Sequence, residues 1–151
     1  FRKQQVASSI LATRIMNMSV AILLESTDKK VILQKRDDKP GINHPGKVTL
    51  FAGGVEEGEE PLAAALRELK EELTLDLWPE DLTFLCEFTR THPNGARGVV
   101  YVFIARNIDP KLLSLQEGEA IVYLSKTDDL SQYNLGQKTR EIIQEFWSSE
   151  S

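Results

Sequence analysis

Apolar positions along this chain follow two rhythms. Met18 to Leu24 reads Met-Ser-Val-Ala-Ile-Leu-Leu, and Val31-Ile32-Leu33 follows it across the turn residues Ser26-Thr27-Asp28, which predicts two strands joined as a hairpin. Val48 to Phe51 predicts a short strand, Leu82 to Arg90 and Gly98 to Ala105 two longer ones, and Ala120 to Leu124 a last one. Within the Gly98 strand the run Val-Val-Tyr-Val-Phe-Ile-Ala is apolar throughout, as expected of a strand covered on both faces. A helical period appears twice, after Pro61 and again from Gly136 to Trp147, where Ile142, Ile143, Phe146 and Trp147 form a stripe that reads as core. Residues 1 to 17 carry Val6, Ile10, Leu11, Ile15 and Met16 at spacings that favour neither period. Strands interleaved with two helices, in hairpins rather than strict βαβ units, predict an α/β fold with a mixed sheet covered on both sides. Residues 1 to 151 read as one domain, with no internal repeat or linker.

Between these elements lie polar, Pro- and Gly-rich connections. Gln34-Lys35-Arg36 leads from the second strand into a loop, Asp37 to Lys47, punctuated by Pro40-Gly41 and His44-Pro45-Gly46. A basic strand end close to an acidic stretch suits a phosphate group, so Arg36 is a candidate substrate contact; the alternative is that Lys35 and Arg36 balance Asp37 and Asp38 in solvent. His44 and His92 each stand alone in a loop and read as ordinary surface residues.

Composition narrows the classes. A chain of 151 residues, 41% hydrophobic and 27% charged, can bury a core without disulfides. No apolar run approaches the roughly 20 residues of a membrane span, so no membrane partner is expected. Cys86 is the sole cysteine and nothing resembles a signal peptide, which makes a cytoplasmic location the expectation and Cys86 a packing residue in a strand. A net charge of −5 argues against nucleic acid as a partner. An anionic substrate would arrive with a metal ion. The acidic excess is local, in Glu56, Glu57, Glu59, Glu60, Glu68, Glu71 and Glu72.

That acidic stretch is a loop feeding the first helix. Pro61 suits a first turn, where its missing N–H costs nothing, and Glu59 and Glu60 lie at the positive end of the helix dipole. At about 100° per residue, Leu62, Leu66, Leu69 and Leu73 fall within roughly 60° of one another, while Glu68, Glu71 and Glu72 are predicted on the opposite, solvent-facing side. Like charges at i, i+3 and i+4 repel, so the three carboxylates call for a cation, and hard oxygen donors suit Mg²⁺ or Mn²⁺. The alternative is an acidic solvated face partly balanced by Lys70.

Gly53, Glu59, Arg67, Glu68, Leu69, Glu71, Glu72 and Leu75 resemble the Nudix box, G-x5-E-x7-R-E-U-x-E-E-x-G-U with U aliphatic, at every defined position but one. Thr74 stands at the second box glycine, where a left-handed helix cap would cost an L-residue about 1–2 kcal/mol, so a rebuilt helix end is expected. Ala52 likewise replaces a glycine of the usual approach to the box.

The resemblance implies a Nudix-type α/β/α sandwich around a central mixed sheet, spanning Met18 to Trp147. It implies a Mg²⁺-dependent (or Mn²⁺-dependent) pyrophosphohydrolase of a nucleoside diphosphate linked to another group, with a (d)NTP as default substrate. Glu68, Glu71 and Glu72 would be metal ligands, joined by the Gly53 carbonyl, and one of them would deprotonate water. Glu59 and Arg67 would form an ion pair holding the loop to the helix. Arg36 matches a place where relatives contact substrate phosphates. Asn134 resembles in placement an asparagine that reads the base in the family's 8-oxo-dGTP sanitiser, though an N-cap or turn role fits it as well. Glu117, before the last strand, would add a carboxylate as in some members, against a reading as a polar turn residue. A noncatalytic nucleotide-binding sensor would have lost box glutamates, and none is lost here. A relative of isopentenyl diphosphate isomerase would need a cysteine before the box, whereas Cys86 follows it.

Overall fold

The computed structural model describes residues 16–42, 44–92, 94–116 and 118–149. The unassigned N-terminal stretch therefore lies outside the described residues up to position 15, and its last two residues, Met16 and Asn17, open the first strand.

Seven strands form one mixed sheet: β1 (Met16–Ser26), β2 (Val31–Lys35), β3 (Val48–Thr49), β4 (Phe51–Gly54), β5 (Leu82–Thr91), β6 (Arg97–Ile108) and β7 (Ala120–Leu124). Helices α1 (Pro61–Leu73) and α2 (Gln137–Ser149) cover its two faces, giving an α/β/α sandwich. The sheet runs β3-β2-β1-β6-β5, with β4 beside β1 and β7 beside β2. Among the described strands the pairings are antiparallel except β1 with β6, which is parallel from Met16↔Arg97 onward. The β1–β2 hairpin exists, but only Leu24↔Ile32 and Glu25↔Val31 pair before the strands part.

That parting makes room for the site. The predicted strand Val48 to Phe51 is two strands, because the chain changes neighbours at Leu50: Thr49 pairs with Gln34 of β2, whereas Phe51 pairs with Ile22 of β1. Buried Gln34 supports the break by donating its amide to the Leu50 carbonyl, 3.4 Å away. The β4 strand then delivers Gly53 and Gly54 opposite Val20 and Ser19, near the start of β1.

Alternation along the central strands builds two cores. Val20, Ile22 and Leu24 of β1, with Phe51, Phe103 and Ala105, pack under α1; Ala21 and Leu23, with Val100, Val102 and Ile104, pack under α2 against Ile142, Ile143, Phe146 and Trp147. The continuous apolar run in β6 thus serves both layers, as a two-sided strand must.

The faces of α1 differ from the sequence expectation. Its buried residues are Ala64, Ala65, Leu69, Glu72 and Leu73, whereas Leu62 and Leu66 are only partly covered. Two small alanines against the sheet rotate the contact face, and Glu72, seven residues after Ala65 and three after Leu69, falls inside it. Glu72 is 6% exposed, not solvent-facing.

The end of α1 is a second correction. Thr74 does adopt the left-handed cap, at φ 57° and ψ 28°. Its N–H donates to the Lys70 carbonyl at 3.0 Å, the 5→1 bond of an αL cap, and the N–H of Leu75 donates to Leu69 at 3.3 Å. Leu75 is buried beneath the helix, and a loop from afar takes two remaining carbonyls, Ser114 N–H to Leu73 at 2.9 Å and Gln116 N–H to Glu72 at 2.8 Å. Gln116 Nε2 also donates to Thr74 Oγ1 at 3.3 Å. These contacts outweigh the strain of one β-branched residue, so the cap persists without its glycine.

Candidate active site

The loop between β4 and α1 is organised by one guanidinium. Arg67 donates through Nε and Nη2 to the two carboxylate oxygens of Glu59, each at 2.9 Å, and through Nη2 to the Gly54 carbonyl, also at 2.9 Å. Its Nη1 donates to Glu68 Oε1 at 2.9 Å and Glu71 Oε2 at 3.3 Å. Glu59 Oε1 in turn accepts the Glu56 N–H at 3.0 Å, closing the turn that leads into the helix. A planar fork with several donors is needed to satisfy partners on two sides at once. Arg67 consequently holds the Glu59 carboxyl below its ordinary pKa, and the carboxylates, Glu59 first, keep the guanidinium protonated far above the physiological range.

Gly53 completes the cradle. The Glu68 carboxylate occupies the space where a Cβ on Gly53 would project, so any side chain there would collide with it. Glu68 is therefore fixed between the β4 backbone and the Arg67 fork, with its side chain 12% exposed. Glu71, at 58%, faces solvent at the margin, and Glu72 is buried one turn beyond Glu68. Among the described residues, no group of three His, Cys, Asp or Glu side chains is placed to hold a metal ion by itself. The donor set of Glu68, Glu71 and Glu72 carboxylates with the Gly53 carbonyl is nonetheless all hard oxygen, and Mg²⁺ retains several waters, so a partial protein shell suits it.

The remaining candidates lie on other elements. Arg36, just past β2, is half-buried and its N–H donates to the Lys47 carbonyl at 2.9 Å. Asn134 is exposed, and its backbone carbonyl accepts the Val48 N–H at 2.8 Å; it precedes α2 by three residues and is not its N-cap. Glu117 lies outside the described residues. Its neighbour Glu119 is tied back to β2, with its carboxylate 3.1 Å from Lys35 Nζ and its N–H on the Lys35 carbonyl. Lys35 thus has a partner on β7's approach rather than Asp37 or Asp38.

Sequence reading missed a basic cluster on the opposite face. Val100 and Val102 face α2, and they pair with Phe88 and Cys86 of β5; two steps further, Gly98 pairs with Arg90, which places Arg90 on that side. A Cβ on Gly98 would lie 3.4 Å from His92 Nε2 and 3.8 Å from Arg90 Cγ, so both side chains crowd over this glycine. His44 joins from the loop after β2: desolvation, then the charges of Arg90, Lys47 and Arg36, hold its imidazole below its ordinary pKa. Both histidines of the chain, read singly as surface residues, are thus neighbours of one arginine. No local spacing signals this, because the strand order β1-β6-β5 brings the residues together.

A family model described as the NUDIX domain matches residues 16–146. Over 77 residues the chain is 39% identical to the dihydroneopterin triphosphate diphosphatase of Escherichia coli (strain K12), a match covering 50% of this chain and 47% of that protein. The chain therefore spans about half the length of that relative. It is 31% identical over 130 residues to the nucleoside triphosphatase NudI of Escherichia coli O81 (strain ED1a), covering 80% of this chain and 89% of that one. Among solved structures, it superposes on the E. coli dihydroneopterin triphosphate pyrophosphohydrolase with a TM-score of 0.68 at 22% identity, over 87% of this chain and 97% of the other, a likeness of fold.

Proposed function

The chain belongs to the Nudix family, and we propose that it is a divalent-cation-dependent pyrophosphohydrolase of nucleoside triphosphates and related triphosphate esters. The observation that carries this reading is the meeting of the Gly53 backbone, the Glu68 carboxylate and the Arg67 fork at one point, with Glu72 buried beside it. The relatives whose names specify triphosphate substrates favour this class over nucleotide sugars or dinucleotides.

In this reading Glu68, Glu71, Glu72 and the Gly53 carbonyl would hold Mg²⁺ or Mn²⁺. The bound cation supplies charge neutralisation on the phosphates and a water of lowered pKa. Arg67 fixes Glu68 from one side and Glu59 from the other, so the loop and helix present their carboxylates without rearranging. One box glutamate accepts a proton from the attacking water. The water oxygen bonds to one phosphorus as the P–O–P bridge breaks, and the bridging oxygen leaves on the other phosphoryl group, giving a monophosphate and pyrophosphate. Arg36 contacts the phosphate chain and the exposed Asn134 side chain meets the base edge.

The test is a screen of purified protein with Mg²⁺ or Mn²⁺ against nucleoside triphosphates, dihydroneopterin triphosphate, nucleotide sugars, ADP-ribose and dinucleotides, with products resolved by chromatography. Release of pyrophosphate from the triphosphates is expected. Cleavage confined to the sugar or dinucleotide arms would overturn the substrate class, and no metal-dependent cleavage of any arm would overturn the activity.

A further inference from the structure

Within β2, Val31, Ile32 and Leu33 are fully buried, and Gln34 beside them is only 2% exposed. A buried amide costs free energy unless its donor and acceptor ends are both occupied. Gln34 lies on the α1 face with Ile32, level with Thr49 of β3 on one side and Ile121 of β7 on the other, and its two ends meet two different backbone segments.

The donor end meets the chain on its way to Gly53. Leu50 lies between β3 and β4 and outside both, so its carbonyl takes a side-chain donor, Gln34 Nε2 at 3.4 Å. Three residues on, about 10 Å along an extended chain, stands Gly53, with the Glu68 carboxylate seated against it. The acceptor end meets the loop before β7. A Cβ on Gly118 would lie 3.3 Å from Gln34 Oε1 and 3.1 Å from the Lys35 carbonyl, and the φ of 91° there is one that side chains rarely adopt. The same turn is fixed by the Glu119 N–H on the Lys35 carbonyl at 2.8 Å, while the other end of the loop is fixed to α1 by the Gln116 N–H on the Glu72 carbonyl, also at 2.8 Å. Arg67 holds the side chains of Glu59, Glu68 and Glu71; this loop holds Glu72 through its backbone.

We infer that Gln34 is a positioning residue for the cation site, acting through the backbone: its amide fixes the Leu50 segment that delivers Gly53 relative to the Gly118 turn that leads back to Glu72. This rests on the proposed function for the cation and assigns a residue outside the acidic loop and helix to its support. An apolar side chain of the same length would fill the space but grip neither segment, leaving the Gly53 carbonyl and Glu72 free to shift against each other. Groups that orient ligands from behind typically contribute about 10–100-fold to metal affinity or activity.

The experiment is titration of Mn²⁺ into the full chain without substrate, read from the electron paramagnetic resonance signal of the free ion, for wild type, Gln34→Met, Gly118→Ala and Leu33→Ala. Melting temperatures in EDTA accompany it, with kcat and KM for the triphosphate cleaved fastest. Gln34→Met should bind Mn²⁺ about tenfold or more weakly and lose kcat on the same scale, with KM for the triphosphate within about threefold of wild type. Gly118→Ala should weaken Mn²⁺ binding in the same direction. Leu33→Ala opens a cavity on the other face of the same strand, and it should lower the melting temperature without moving Mn²⁺ affinity. Wild-type affinity in Gln34→Met overturns the inference, and so does equal weakening in Gln34→Met and Leu33→Ala, which would be a general loosening of the sheet. Should Gln34→Met fail to fold, Gly118→Ala carries the test, and unchanged Mn²⁺ affinity in it overturns the assignment. No Mn²⁺ binding by wild type would overturn the cation site and the role of Gln34 together. Binding that Gln34→Met weakens, in a protein that cleaves no triphosphate, would leave Gln34 its role and sink the substrate reading alone.

Discussion

The two faces at the site end of the sheet are assembled in opposite ways. Under α1, Gly53, Glu59, Arg67, Glu68, Glu71 and Glu72 come from one loop and helix, and Arg67 alone bonds Glu59, Glu68, Glu71 and Gly54. Under α2, Arg36, His44, Lys47, Arg90 and His92 come from distant segments that meet only because β5 pairs with β6 and β6 with β1. The first face is one guanidinium interlocked with several carboxylates, a network that stays net negative. The second is a concentration of positive charge around Arg90, whose buried Nε has no hydrogen-bond partner among the described residues. Local spacing can encode a carboxylate cluster because a helix repeats its geometry every few residues, whereas a cluster built across strands is encoded nowhere in particular.

The largest expected effect tests the chemical claim on the α1 face. Glu72→Gln keeps the shape of a buried residue and removes its charge; loss of an outer-sphere partner typically costs about 10–100-fold, and loss of this glutamate should cost more. Turnover at saturating Mg²⁺ close to wild type, with an unchanged melting temperature, would empty that face of its proposed role.

Gly53→Ala sharpens the comparison, because the new Cβ would meet the Glu68 carboxylate head-on. A displacement of about 1 Å at a reacting centre can cost on the order of a hundredfold, and kcat should fall on that scale. The matching glycine of the other face has only a 3.4 Å contact to His92 Nε2 and to the Asn17 carbonyl, so Gly98→Ala should cost far less turnover. Equal losses in the two variants would mean the faces are not separable.

Leu69→Ala addresses packing rather than chemistry. Leu69 is fully buried between α1 and the sheet, and its truncation should destabilise by about 2–5 kcal/mol in denaturant titration.

A smaller effect is expected at the helix end. Thr74→Gly removes left-handed strain of about 1–2 kcal/mol but adds unfolded-state entropy of roughly 0.5–1 kcal/mol, leaving a net gain of about 0–1.5 kcal/mol. A melting temperature below wild type would show that the Gln116 contact to Thr74 Oγ1 matters more than the strain.

The smallest effect is pH-dependent. Arg67 depresses the folded pKa of Glu59, so the stability this pair contributes is present above the ordinary glutamate range and is lost as pH falls through the lower folded value. The gap in melting temperature between wild type and Glu59→Gln should be constant near neutrality and close in acid; a gap that widens in acid would reverse the sign.

By itself the sequence determined the element order, the mixed sheet, the two-sided burial of β6 and the loop and helix from Gly53 to Leu75, because apolar periodicity and box spacing are properties of contiguous residues. It misjudged which side of α1 is buried, since leucines draw the eye while Ala64 and Ala65 make the close contact, and so it placed Glu72 in solvent. It expected Thr74 to forbid a cap that contacts from Ser114 and Gln116 hold in place. It also read Val48 to Phe51 as one strand, when the chain changes partners at Leu50. Tertiary structure alone decided that His44 and His92 share Arg90 as a neighbour, because strand order, not chain distance, sets which residues meet across a sheet.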